Sequence, residues 1–242
     1  MVLIHGHPFD RRMWAPQLSS LSGSLRVIAP DLPGYGASPP RGHTTTMREL
    51  ADAVLELLDA LAVERAAVAG LSMGGLVAME LGLAHPERVA GLVLAATTAA
   101  PVTPEEADAR RATAARLESD GMLDHALDMA SRLFGPRGRR DPDVVEPVLS
   151  MMIRAQPAGA AAALRGRAER PDYARLLGGL RVPSLVIAGD HDAFSTHEVT
   201  EQLVAALPAP EVLRLEGVGH LPNLEAPKAF DDAVRAFAAR VA

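Results

Sequence analysis

The 242-residue chain contains no cysteine. Disulfides, thiol catalysis and cysteine-ligated zinc are therefore excluded, and the composition suits a reducing cytoplasm. No apolar run approaches the roughly 20 residues needed to span a bilayer. The opening Met1-Val2-Leu3-Ile4-His5-Gly6 carries neither a basic stretch nor a long apolar one of the kind that directs secretion. Positive charge is in deficit as well: a formal net charge of −6 gives no reason to expect nucleic acid or an anionic membrane surface as partner. What is abundant is apolar material, 48% of the chain, enough for one large core or a domain with an insertion. A single globular enzyme fits.

The chemistry-bearing stretch is Val68-Ala69-Gly70-Leu71-Ser72-Met73-Gly74-Gly75. The apolar run Ala66 to Ala69 reads as a buried strand, and Leu76 to Ala84 as a helix, so the G-x-S-x-G between them reads as a strand-turn-helix nucleophile elbow. So tight a turn needs almost side-chain-free neighbours, which Gly70 and Gly74 supply. The turn lifts the Ser72 hydroxyl above the sheet and aims the Met73 N–H, with a helix N-terminus behind it, at a developing oxyanion. A chance match to so short a pattern is the alternative, and the strand-to-helix setting argues against it.

A serine hydroxyl needs a base and an orienting acid. Two late loops at strand ends offer them. Val182 to Ala188 leads into Gly189-Asp190-His191-Asp192-Ala193-Phe194, and Pro210 to Glu216 into Gly217-Val218-Gly219-His220-Leu221-Pro222. His220 is the candidate general base and acid, and Asp192 the group that fixes its tautomer. Asp190 competes, but it follows the strand immediately, whereas Asp192 lies further into the loop, within reach of the histidine. A metal site at His191, Asp192 and His197 lacks a further clustered ligand, and neither metal nor cofactor is expected.

Upstream, Val2 to Ile4 reads as a short buried strand followed by the loop His5-Gly6-His7-Pro8-Phe9 and a helix over Met13 to Leu21. The His7 backbone N–H is the expected second oxyanion donor, with a solvent-facing loop histidine as the alternative; His5 is expected to pack and hold the loop. Leu25 to Ala29 reads as a strand. Asp31, Gly34, Gly36 and Ser38 then look like loop architecture, because no Gly-Lys-Ser/Thr follows to make a phosphate loop. Thr46 to Glu49 forms a capping box opening a helix over Met47 to Leu61. Val89 to Ala96 is a further strand, and Ala226 to Val241 a closing helix. Between 101 and 180 the texture is helical and polar, an insertion long enough to form a lid. Phe9, Met122, Met129, Leu133, Phe134, Met152 and Leu221 are candidate pocket-lining residues there and in the loops.

The segments His5-Gly6-His7-Pro8, Asp31 to Ser38, Gly70 to Gly75, Gly189 to Asp192 and Gly219 to Pro227 together resemble the α/β-hydrolase fold superfamily, in texture its capped serine esterases, enol-lactone hydrolases and cofactor-free haloperoxidase-like members. The resemblance implies a mostly parallel sheet flanked by helices, with a core of residues 1–100 and 181–242 and a helical cap over 101–180. It carries Ser72, Asp192 and His220 over as a triad, and Ser72 argues against relatives with an aspartate nucleophile. It implies a cofactor-free hydrolase of small esters or lactones. C–C hydrolysis, perhydrolysis, or a slow ligand-binding receptor using the same triad are the alternatives. The chain departs from the family in lacking its leading antiparallel strand pair ahead of Val2, which is expected to bare the Leu25 to Ala29 edge and favour reduced stability or a homodimer formed through that edge.

Overall fold

The computed structural model describes residues 1–241. Five strands, β1 (Val2–Ile4), β2 (Ala66–Leu71), β3 (Val89–Ala95), β4 (Ser184–Gly189) and β5 (Glu211–Leu215), form one all-parallel sheet in the order of the sequence. The connecting helices are α1 (Ala15–Leu21), α2 (Met47–Ala60), α3 (Met73–Ala84), α4 (Pro104–Asp120), α5 (Leu123–Leu133), α6 (Pro142–Ile153), α7 (Pro157–Ala168), α8 (Tyr173–Leu176), α9 (His197–Ala206), α10 (Pro222–Glu225) and α11 (Pro227–Val241). β1 to β4 are buried throughout, as a parallel sheet covered on both faces requires. One apolar cluster, built around Leu50, Val54, Val77, Leu81 and Leu203, lies on one face; the other contains Trp14, Phe230, Val234 and Phe237.

The expected strand over Leu25 to Ala29 is reduced to a single bridge, Ile28 beside Val2. Leu3 N–H donates to the Ile28 carbonyl at 2.8 Å and Ile28 N–H to the Met1 carbonyl at 2.9 Å. A ladder cannot continue, because β1 is only three residues long and Pro30 has no N–H to donate. The chain thus steps outward from β1 to Ile28 and returns through α2 to β2 on the other side. That reversal sets a switch point between β1 and β2, where the loops after the two strands diverge. Likewise the expected first helix begins as a 3-10 turn, Arg11–Trp14, before α1. Its entry is fixed by Asp10, whose carboxylate accepts from the Arg12 N–H at 2.9 Å.

The capping box at α2 is present: Thr46 accepts from Glu49 N–H, and Glu49 accepts from Thr46 N–H at 2.7 Å. α4 to α8 all fall between β3 and β4. Within them α4 and α7 bury a small apolar cluster of their own, containing Ala114, Leu117, Met122, Ala160, Ala161 and Leu164. Gly159 and Gly166 let α7 lie against the backbone of Gly34 and Thr45, where a Cβ would collide. The segment from Tyr173 to Leu180 packs with the sheet-side core instead, and the Tyr173 hydroxyl donates to Glu80 at 2.7 Å.

Candidate active site

All five strands end on the same side, and their carboxyl ends carry the residues of interest. At the end of β2 the chain makes the elbow. Ser72 adopts φ 55° and ψ −112°, a left-handed conformation costing about 1–3 kcal/mol for a residue with a side chain. Its N–H donates to the Ala95 carbonyl at 2.9 Å, and its own carbonyl accepts from Thr97 Oγ1 at 2.7 Å. These bonds hold the strained residue from both sides. The flanking glycines are needed for space: a Cβ on Gly70 would overlap the Gly74 carbonyl, and one on Gly74 would overlap the carbonyl oxygen of Ile4.

At the ends of β4 and β5, Asp192 and His220 form a buried pair. His220 Nδ1 lies 2.9 and 2.8 Å from the two carboxylate oxygens of Asp192. Asp192 Oδ1 also accepts the N–H groups of Phe194 at 2.8 Å and Ser195 at 3.0 Å. Burial works against ionisation of this carboxyl, but His220 and the two N–H donors outweigh it and hold it below its ordinary value. Asp190 is engaged elsewhere, accepting Gly217 N–H at 2.7 Å and so bracing the turn after β5. Asp192, and not Asp190, is the carboxylate within reach of the His220 ring.

Sequence reasoning missed how the His220 loop is fixed. His220 N–H donates to the Leu133 carbonyl at 2.7 Å. The N–H groups on either side of it, Gly219 and Leu221, donate to Glu225 at 3.1 and 3.2 Å. Glu225 also accepts the Gly135 N–H at 2.7 Å, tying the end of α5 to the same loop. A glutamate four residues after an N–H it receives is the visible signal, since it marks a side chain folding back on its own loop.

After β1, His5 does what its position suggested. Its Nε2 accepts the Leu32 N–H at 3.0 Å while Nδ1 faces the Gly6 carbonyl at 2.9 Å. His7 is not solvent-facing: its ring is buried, with Nδ1 2.8 Å from the Tyr35 hydroxyl and Nε2 3.4 Å from Nε2 of His125 in α5. Among the described residues the backbone N–H groups of His7 and Met73 find no acceptor in the protein.

Ser72, His220, His7 and Met73 line one cavity of about 300 Å³. No hydrogen bond among the described residues joins the Ser72 hydroxyl to the His220 ring; the two meet as walls of that cavity. A larger cavity, about 510 Å³, lies beyond Ile28 and is lined by Pro30, Pro33, Pro39, Pro40 and the α2 residues Val54 and Leu57. Its wall contains neither the elbow serine nor any histidine, so chemistry points to the smaller one.

Of the pocket residues expected from sequence, Met129 reaches the Ser72 cavity. Phe9, Leu133, Phe134, Met152 and Leu221 are buried in the sheet-side core instead, and Met122 in the α4–α7 cluster. Leu133 and Met152 are turned onto the sheet by α5 and α6, and Phe9, Met122, Phe134 and Leu221 pack from the segments beside the helices. The cavity wall is more polar than expected, with Arg110, His125, Arg132, Arg167 and Arg170 beside Leu76, Leu164 and Phe194. Spacing held a signal for two of them: Arg167 follows Leu164 by three residues and Met129 follows His125 by four, which puts each pair on one helix face.

Three histidines here resist protonation. Burial lowers the pKa of His5 and His125, and lowers that of His7 further, with Arg167 adding to the effect. A histidine whose pKa is depressed in the fold contributes nothing while both states are neutral, and it disfavours the native state as pH falls below the unfolded value near 6.5, where the unfolded chain takes up the proton first. Stability is therefore expected to drop by up to about 1.4 kcal/mol per pH unit for each such group below that point. Thermal melts at pH 7.5 and 5.5 test this, with a lower midpoint at 5.5 and a flatter dependence in His7→Gln/His125→Gln. Equal midpoints in the parent would contradict it.

The family model for the alpha/beta hydrolase fold matches residues 1–227. The chain belongs to the α/β-hydrolase family. The hydrolase is 33% identical to a pimeloyl-[acyl-carrier protein] methyl ester esterase of Aromatoleum aromaticum over 240 residues, 94% of this chain and 93% of the relative. It is 30% identical to a 3-oxoadipate enol-lactonase of Acinetobacter baylyi, over 91% of this chain and 81% of that one. Among solved structures, a malate-bound thermophilic esterase from Thermogutta terrifontis superposes with a TM-score of 0.96 at 38% identity, covering 99% of this chain and 89% of its own. No described helix of this hydrolase is long and apolar enough to cross a membrane.

Proposed function

We propose that this hydrolase cleaves a small carboxylic ester or lactone through an acyl-enzyme on Ser72. The reading rests above all on His220, which lines the same cavity as the elbow serine and whose Nδ1 lies 2.8 Å from the buried Asp192 carboxylate. With Nδ1 held by a carboxylate, the proton of neutral His220 sits on that nitrogen and Nε2 is left as the base. Ser72 Oγ attacks the carbonyl carbon and passes its proton to Nε2. The oxyanion is met by the unpartnered N–H groups of His7 and Met73, the latter at the start of α3. Collapse expels the alcohol, which takes the proton from His220; in a lactone it stays tethered to the acyl group. Water, activated by His220, then releases the acid.

The nucleophilic step requires Ser72 Oγ and His220 Nε2 to close on each other, a contact that commonly tightens only with substrate present. The cavity volume suits an ester of few heavy atoms better than a long acyl chain. That the similar proteins are named as a methyl ester esterase and an enol-lactonase supports the same class. Turnover of p-nitrophenyl acetate with a pre-steady-state burst of one p-nitrophenol per chain tests the mechanism. Turnover without covalent accumulation at Ser72 under any deacylation-limited condition, or none with any short ester or lactone, would contradict it.

A further inference from the structure

The Ser72 cavity is electrostatically unlike the rest of the molecule. The chain as a whole carries a net charge of −6, yet this wall presents four arginines, Arg110, Arg132, Arg167 and Arg170, against one glutamate, Glu106. Two of the four are accounted for. Arg110 pairs with Glu106 at 3.3 Å and Arg132 with Asp128 at 2.7 Å. Arg132 also lies over the Phe194 ring, 5.0 Å from its centre.

Arg167 and Arg170 have no such partner. Neither forms an ion pair with any described residue, and the Arg167 guanidinium makes no hydrogen bond to the described protein. Arg170 donates only to main-chain carbonyls, those of Ala100 at 2.9 Å and Arg167 at 3.5 Å. The Nε atoms of both are buried and unpartnered, and Arg170 is just 8% exposed. Burial, reinforced by Arg110 and for Arg167 also by Arg170, pulls the pKa of each down to about 10, so both remain cations at neutral pH, while the one carboxylate on this wall, Glu106, is bonded to Arg110. A buried cation without an anion or a full set of acceptors is costly, and α7 could have kept its packing with an apolar residue there. The remaining explanation for two such side chains on the wall of a reactive cavity is that the missing anion arrives with the substrate.

We propose that Arg167 and Arg170 form a carboxylate subsite, so that the preferred substrate is a short ester or lactone carrying a second, ionised acid group. This deepens the serine-hydrolase reading and depends on it for the identity of the reacting bond. A planar guanidinium offers paired N–H donors that match a carboxylate, and two of them side by side fix both its charge and its direction. The same residues discriminate against neutral esters, whose alkyl end would leave the cations unsatisfied. The positive wall in a negative protein also draws the anion specifically to this opening. Hydrolysis of such a compound releases a dicarboxylate or, from a lactone, a product with one new carboxylate and one new hydroxyl.

The test compares monomethyl glutarate with methyl pentanoate, a neutral ester of similar length, by proton release. Parent enzyme is expected to favour the anionic ester by about tenfold or more in kcat/KM, and Arg167→Gln and Arg170→Gln to lower that ratio by about 10- to 100-fold. Arg167→Lys, which keeps the charge but loses the paired donors, is expected to fall between. A ratio near one in the parent, or one unchanged in the variants, would overturn the subsite. Binding separates this from failure of the reaction itself. Glutarate titrated calorimetrically into Ser72→Ala protein should bind, and bind at least tenfold more weakly after Arg167→Gln, whether or not any ester is cleaved. No heat of binding, or tighter binding of inorganic phosphate than of glutarate, would refute a carboxylate site.

Discussion

Ser72→Ala is expected to lower kcat for p-nitrophenyl acetate by about 10⁴- to 10⁶-fold, the range seen when a serine nucleophile is removed from a working triad. The fold should survive, because the Ser72 hydroxyl makes no hydrogen bond among the described residues and the elbow is held through the main chain. Ser72→Gly sharpens the prediction. At φ 55° glycine relieves strain that alanine does not, so Ser72→Gly should be as inactive as Ser72→Ala but more stable than the parent by about 1–2 kcal/mol. Urea unfolding followed by circular dichroism measures the difference. Together the two variants separate what the side chain does for chemistry from what the backbone is made to bear for it. Activity retained in Ser72→Ala would remove this residue from the mechanism.

The second large effect is on stability. Gly74→Ala is expected to cost about 4 kcal/mol or more, because its Cβ would enter the carbonyl oxygen of Ile4, and β1 cannot retreat without breaking its pairing with β2. Gly70→Ala meets the Gly74 carbonyl and should behave alike. Gly178→Ala is the contrast, since nothing lies within 4 Å of its Cβ position, and a change within about 0.5 kcal/mol is expected. The check is denaturant unfolding of all three, with soluble yield as a first indication. A Gly74→Ala protein as stable as the parent would mean that the elbow is looser than its geometry implies.

The elbow was legible in the sequence for the same reason that it is fragile: close backbone approach permits almost no residue except glycine, so the constraint is written in residue type. Asp192 and His220 were legible because each follows a β-branched or aliphatic run at a strand end, where a parallel sheet collects its loops. The pocket was less legible. An apolar residue such as Met152 or Leu221 fits a cavity wall and a core equally well by pattern, and only the packing of α6 and α10 against the sheet decides between them. The arginines were passed over because charged residues on a polar helix ordinarily face water; Arg170 is buried because its turn follows α7 into the cavity. Leu25 to Ala29 looked like a strand by composition, but a strand needs a partner of equal length, and β1 offers three residues.

The central claim is that Ser72 is the nucleophile and that His220 activates it. Treatment with a fluorophosphonate, followed by intact-mass and peptide mass spectrometry, addresses it at the level of a single atom. The expected result is one phosphonyl group per chain, located on the peptide containing Ser72, formed at least 100-fold more slowly in His220→Ala. A folded, unlabelled protein that still hydrolyses esters, or a label placed on any other residue, would contradict the account.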